Sequence, residues 1–148
     1  MQQKQSLQNQ FVSYEIAKEL KELEFDEPCL GYYSIIYNSV DQSYSGQLVL
    51  GEDPEYLTCQ KKMHFILGQN ILLAPLYQQC IDWFREKHGI NIYVSNSNCY
   101  PKFSFDIEYS GEMGPVDLWY CSNEAINNFY EAKERAILKA IELIKKSE

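Results

Sequence analysis

Two histidines, His64 and His88, and five cysteines, Cys29, Cys59, Cys80, Cys99 and Cys121, are the residues best suited to nucleophilic or metal chemistry. A thiolate nucleophile needs a base within hydrogen-bonding reach, and structural zinc takes ligands in closely spaced pairs. No two of these cysteines form a CxxC pair. Spacing alone permits a Cys29–His64 couple, but nothing local supports it. His88 closes an apolar helix face just before Gly89, where a capping or partly buried role is simpler than catalysis. A hydrolase would have to unite scattered carboxylates such as Asp26, Glu27, Glu108 and Asp117 in one cleft. Glu108, Glu112 and Asp117 flank a turn, and a solvated hairpin explains them as well as a cation site does. Gly111 and Gly114 bracket a turn and precede no helix, so they form no phosphate loop. These patterns lead us to expect no catalytic residue, no metal site and no cofactor.

A second constellation is aromatic and amide-rich. Tyr32, Tyr33, Tyr77, Trp83 and Trp119 offer flat faces, and Gln78, Gln79 and Arg85 offer donors. Together they have the chemistry to stack on and hydrogen-bond a base or another planar ligand. Packing accounts for much of the same set. In a strand Tyr32 and Tyr33 point to opposite faces, so one of them fills a core. Tyr77 falls on the apolar side of its helix, and Trp83 falls at the boundary.

The chain has 148 residues, enough for one domain with a sizeable core. Its net charge of −8 leaves no basic face for gripping phosphates by counterion release, which disfavours nucleic acid as a partner. The same charge opposes anionic membranes, and no segment has the length and apolarity of a membrane span. Met1 to Gln10 is polar and lacks the apolar centre of a signal peptide. With an odd cysteine count, this leads to an expectation of reduced thiols and a cytoplasmic location in a bacterial host.

The elements follow from periodicity. Residues 1–12 read as a flexible arm and 13–148 as a single α+β domain. Ser13 is a suitable N-cap for a helix over Tyr14 to Leu23, with Ile16, Ala17, Leu20 and Leu23 on one face. Asp26-Glu-Pro28 is expected to stop it, because the residue before proline leaves the α region. Cys29 to Tyr37 and Tyr44 to Leu50 read as a hairpin around Asn38 to Gln42. Residues 56–73 give no firm pattern, although Met63 to Leu67 has the composition of a short strand or helical turn. Pro75 opens the next helix, which Gly89 closes as an αL residue. Strands are expected over Ile90–Val94, Phe103–Tyr109 and Val116–Cys121. A last helix runs from Asn127 or Asn128 to Lys145, with Ala132, Ala136, Ile137, Ala140, Leu143 and Ile144 as its apolar stripe. Leu138 falls on its polar face and points to contact with another subunit or a partner, so a homo-oligomer is one reading.

The fold expected is α+β, a mainly antiparallel sheet packed by helices on one side. Its C-terminal half is α-β-β-β-α, the order of a double-stranded-RNA-binding domain. Such domains reach phosphates with a lysine-rich start to the final helix. The corresponding stretch here, Tyr130-Glu-Ala-Lys-Glu-Arg135, is of mixed sign.

Two strings, Leu20-Lys-Glu-Leu-Glu-Phe-Asp-Glu-Pro-Cys-Leu-Gly-Tyr-Tyr33 and Ala74-Pro-Leu-Tyr-Gln-Gln-Cys-Ile-Asp-Trp-Phe-Arg-Glu-Lys-His-Gly89, carry a family resemblance. Tyr130 to Lys145 adds a weaker third block. The chain resembles a family of small bacteriophage and prophage proteins of Bacteroidetes that have no assigned activity. Members of that family have glycine where Glu24 stands, and a shorter segment between Tyr33 and Ala74. The resemblance implies a phage setting. With the lack of catalytic groups, it leads to an expected non-catalytic binding protein that interferes with host immunity. Its target would be a host protein or a nucleotide-like small molecule. The alternatives are a nucleic-acid-binding accessory protein and a hydrolase.

Overall fold

In a computed structural model the chain divides into two compact units, Met1–Leu76 and Tyr77–Glu148. The structure describes residues 7–50, 71–96, 102–110, 117–122 and 124–147, and only the backbone at 117–119. The architecture is α+β, with three helices and two antiparallel three-stranded sheets among the described residues. A single sheet was the expectation. Met63 to Leu67 lies outside the described residues.

The first unit contains α1 (Tyr14–Glu22), β1 (Gly31–Asn38), β2 (Ser43–Leu50) and β3 (Ile71–Ala74). Ser13 caps α1, its hydroxyl accepting from the Ile16 amide at 3.4 Å. Ile16, Ala17 and Leu20 are buried, and α1 packs against β3. Each such apolar side chain, once removed from water, contributes roughly 1.5–3 kcal/mol for residues of Leu or Ile size. Phe11 and Val12 are also buried, although the sequence placed them in a flexible arm. The Val12 amide donates to the Pro75 carbonyl at 3.0 Å, which ties this entry segment to the end of β3.

The end of α1 differs from the expectation. Pro28 does not stop it. The helix ends with Leu23 as C-cap, and Glu24 takes a left-handed conformation with φ 61°. The Glu24 amide donates to the Lys21 carbonyl at 3.1 Å and the Phe25 amide to Leu20 at 2.9 Å. Those two bonds, with buried Leu20 and Phe25, make a Schellman stop. A glutamate thus closes the two hydrogen bonds that glycine most often closes at such a stop.

The sheet order is β2-β1-β3. β1 pairs with β2 along its full length, from Gly31↔Leu50 to Asn38↔Ser43. β3 pairs with β1 from Gly31↔Ala74 to Ser34↔Ile71. All four β3 residues are buried, a continuous apolar run without alternation. Tyr14 lies on the sheet over Gly46, where an added Cβ would come within 2.2 Å of its ring. Glycine at 46 is what permits that approach.

The second unit contains α2 (Tyr77–His88), β4 (Ile90–Asn96), β5 (Phe103–Tyr109), β6 (Asp117–Cys121) and α3 (Phe129–Ser147). Its sheet order is β4-β5-β6. Pro75 stands before α2 rather than in its first turn. Phe105 and Ile107 of β5 face the core with Ile90 and Ile92 of β4. α2 packs on β4, and α3 packs on both β4 and β5. Asn128 caps α3, its Oδ1 accepting from the Tyr130 amide at 2.8 Å. The buried stripe is Ala132, Ala136, Ile137, Ala140, Ile141 and Ile144. Ile141 joins it, and Leu143 is only half-buried. Three alanines in this stripe let the helix lie close to the sheet.

Gly89 makes the corner between α2 and β4. Its φ of 64° is left-handed, and an added Cβ would meet the Ser110 carbonyl oxygen at 2.7 Å. The Gly89 carbonyl accepts from the Ser110 amide at 2.9 Å, so helix stop and strand pairing share one residue.

These two left-handed positions predict opposite outcomes in denaturant unfolding. Glu24→Gly should stabilise the protein by about 0.5–1 kcal/mol, because it relieves a non-glycine residue at positive φ. Gly89→Ala should destabilise it by at least about 2 kcal/mol, since strain and a backbone clash coincide. A neutral Gly89→Ala would contradict the corner described here.

Candidate binding surfaces

The aromatic and amide residues singled out in the sequence fall into both units. Tyr32 and Tyr33 lie on β1 in the first. Tyr32 is half-buried and packs against Ile71. Tyr33 is buried, and its hydroxyl donates to the Val12 carbonyl at 2.7 Å. Its ring meets Tyr14 edge-on with centroids 5.6 Å apart. Tyr33 is therefore a bolt between β1 and the entry segment, with its polar tip used internally.

In the second unit Tyr77 is buried, with its ring 6.4 Å from that of Tyr130. Trp83 is buried at 5% exposure, not at the helix boundary. It meets Phe84 at 5.2 Å and His88 at 4.8 Å, both edge-on. His88 thus belongs to an aromatic cluster at the end of α2. Gln78, Asp82 and Arg85 come together on the outer face. Asp82 Oδ1 accepts from Gln78 Nε2 at 3.2 Å and from Arg85 Nη2 at 2.7 Å. Gln79 is half-buried one position on. Trp119 lies in β6, and its side chain is outside the described residues. Polar groups on α2 are thereby engaged with each other, at the small net energies of exposed pairs.

The three described thiols give little for a nucleophile. Cys29 Sγ donates to the Glu27 carbonyl at 3.3 Å, and Cys80 is buried in α2. Cys121 is exposed, and hydrogen bonding with Asp106 pushes its thiol up from the ordinary value. A raised pKa lowers the thiolate fraction that chemistry would need. Among the described residues no three His, Cys, Asp or Glu side chains are placed to hold a metal ion. His64, Cys59, Cys99 and Glu112 lie outside the described residues.

Two surfaces remain that sequence reasoning did not assemble. The first is the far end of the hairpin. Ile36, Tyr37, Val40 and Tyr44 are 48%, 52%, 92% and 66% exposed. Tyr37 and Tyr44 are cross-strand partners with ring centroids 4.9 Å apart. Polar contacts hold the turn beneath them: Asn38 Oδ1 accepts from the Val40 amide at 3.0 Å, and Asp41 Oδ1 from Ser43 Oγ at 2.6 Å. Gln42 at φ 55° completes the reversal. A hydrogen-bonded turn thus carries apolar side chains into solvent.

The second is an open groove of about 270 Å³ beside α3, lined by Phe105, Tyr120, Ser122, Arg135, Leu138 and Lys139 together with two glutamates. Phe105 and Tyr120 stack at 5.6 Å, and Lys139 Nζ sits 4.9 Å above the Tyr120 ring. Buried Ser122 staples the floor, its Oγ accepting from the Phe105 amide at 2.9 Å. Arg135 is held by Glu124 at 2.7 Å and Glu131 at 2.6 Å. Lys139 is held by Glu142 at 2.9 Å. Leu138 was the one sequence signal for this surface. Its cations are matched by carboxylates of the same unit, so the groove offers an aromatic floor rather than an anion hole.

Glu142 receives both Lys139 and Lys146, and their hydrogen bonds hold its carboxyl down at about 2. A carboxyl whose folded value is depressed contributes its stability above the unfolded value of 4.5 and loses it as pH falls through about 2. Carboxyl-carbon NMR titration should find Glu142 ionised well below pH 4.5, and Lys146→Ala should move its midpoint upward. A wild-type midpoint at the ordinary glutamate value would contradict the ion-pair geometry. No family model, no curated protein and no solved structure matches this chain.

Proposed function

We propose that this protein is a non-catalytic binding protein that recognises another protein through the cap of the β1–β2 hairpin. The observation that carries this reading is the exposure of Tyr37, Val40 and Tyr44 at the hairpin end, with Ile36 exposed on the reverse face, large apolar side chains held out in solvent by a well-bonded turn. Scattered exposed apolar residues are ordinary, but four at one projecting end favour burial by a partner. Tyrosine suits that task, since its ring gives contact area at low conformational cost and its hydroxyl stays hydrated. Burial of one such side chain is worth roughly 1.5–3 kcal/mol, enough for two of them to dominate a modest affinity.

The protein-partner form has more support than sequestration of a nucleotide-like ligand. Tyr33, Tyr77 and Trp83, three of the rings such a pocket would use, are committed to packing. A nucleic-acid partner is opposed by the net charge of −8 and by the glutamates that compensate Arg135 and Lys139. The resemblance to phage and prophage proteins supports a target made by the bacterial host, with interference in host immunity as the role.

The test is retention on immobilised wild type and on a Val40→Asp variant, followed by calorimetry with the purified partner. Val40 is fully outside the core, so the variant should fold as the wild type does. Affinity should fall at least about tenfold, equivalent to about 1.4 kcal/mol. Equal affinity for the two proteins would reject the hairpin cap as the recognition element. A retained nucleotide or measurable turnover in place of a protein partner would reject the proposed class.

A further inference from the structure

The flank of the same hairpin carries a different feature. In the order β2-β1-β3, β2 lies at one margin of its sheet among the described residues. A marginal strand presents a row of unpaired amides and carbonyls, and natural proteins blunt it with lysine, proline or a bulge. β2 has none of these. Ser43-Tyr-Ser-Gly-Gln-Leu-Val-Leu50 contains no charged residue and no proline. Its register with β1 runs without a bulge through all its residues. In a chain of which 23% is charged, such an uncharged marginal strand is a surface suited to strand addition.

We propose that β2 pairs antiparallel with β2 of a second copy of this chain, joining two three-stranded sheets across a twofold axis. The composition and pattern of β2 favour a second copy over a different protein. Each copy carries −8, and a twofold axis duplicates every carboxylate in the contact, so self-association needs a strand free of acids. β2 meets that requirement, and it offers a charged peptide nothing complementary. Its pattern is also self-complementary when the axis passes Gly46. Exposed Tyr44 of one copy then faces Leu48 of the other, and Ser45 faces Gln47. Tyr44 and Leu48 share the face on which Tyr14 covers Gly46, so the pairing extends an existing apolar surface. The hairpin caps carrying Val40 stay at opposite ends of the joined sheet.

The test is sedimentation equilibrium of the full chain over a concentration series, beside a Ser45→Lys/Gln47→Lys double variant. The wild-type mass should rise towards twice the 17.4 kDa of one chain. In the variant, lysines oppose one another across the axis, and dimer affinity should fall at least about tenfold. Both positions are exposed on the sheet face away from Tyr14, and circular dichroism checks that the variant folds. If it does not, hydrogen exchange of the wild type decides instead, with β2 amides gaining protection as concentration rises. A wild type of single-chain mass throughout, an equally dimeric lysine variant, or concentration-independent β2 protection would each overturn the proposal. Val40→Asp should leave the dimer intact, which separates failure here from failure of the hairpin cap as a partner site.

Discussion

The β1–β2 pairing is the interaction on which the first unit's surface depends. The two strands stay paired from Gly31↔Leu50 to Asn38↔Ser43, and Ile71–Ala74 pairs with β1 at Gly31 to Ser34. Around that part, α1, Phe11, Val12 and Tyr33 close a core on the sheet. Toward the turn, Ile36, Tyr37, Val40 and Tyr44 are exposed. The far end of the hairpin is stabilised by turn hydrogen bonds and by the Tyr37–Tyr44 pair rather than by burial.

The second unit solves a different problem. Gly89 turns the chain from α2 directly into β4 while its carbonyl serves Ser110, which fixes the relation of helix to sheet at a single residue. Trp83, Phe84 and His88 fill the last turn of the helix beside that corner. α3 then lies over β4 and β5 on its alanines, and its outer face carries Arg135, Lys139 and Glu142. Because each of those cations meets a glutamate of the same unit, the groove beside Tyr120 is electrostatically closed on itself. Exposed pairs of this kind add little stability individually and do more to keep the surface neutral.

Elements with strong local signals were legible in the sequence. Ser13 and Gly89 act by side-chain oxygen and by φ, both properties of a single residue, and both stand where the pattern placed them. Phe103–Tyr109 alternates cleanly and forms a strand with the expected bounds. β3 was not legible, because four consecutive buried residues have no period and their partner strand is remote in sequence. The Glu24 stop was hidden because its residue type argues against the conformation that its hydrogen bonds impose. Trp83 was misplaced for a related reason: a wheel gives direction but not reach, and a large ring at the edge of the apolar arc still extends under cover. Of the candidate surfaces, Leu138 pointed to one, whereas the hairpin cap was missed because strand alternation does not show how far burial extends along a hairpin.

Relaxation enhancement by a soluble paramagnetic probe in the wild-type protein tests the exposed cap most directly. The side-chain signals of Tyr37, Val40 and Tyr44 should broaden strongly, while those of buried Tyr33 and Ile71 should not. Equal shielding of the two sets would mean that the outer half of the hairpin is already covered. The apolar cap would then not be the surface that a partner must bury.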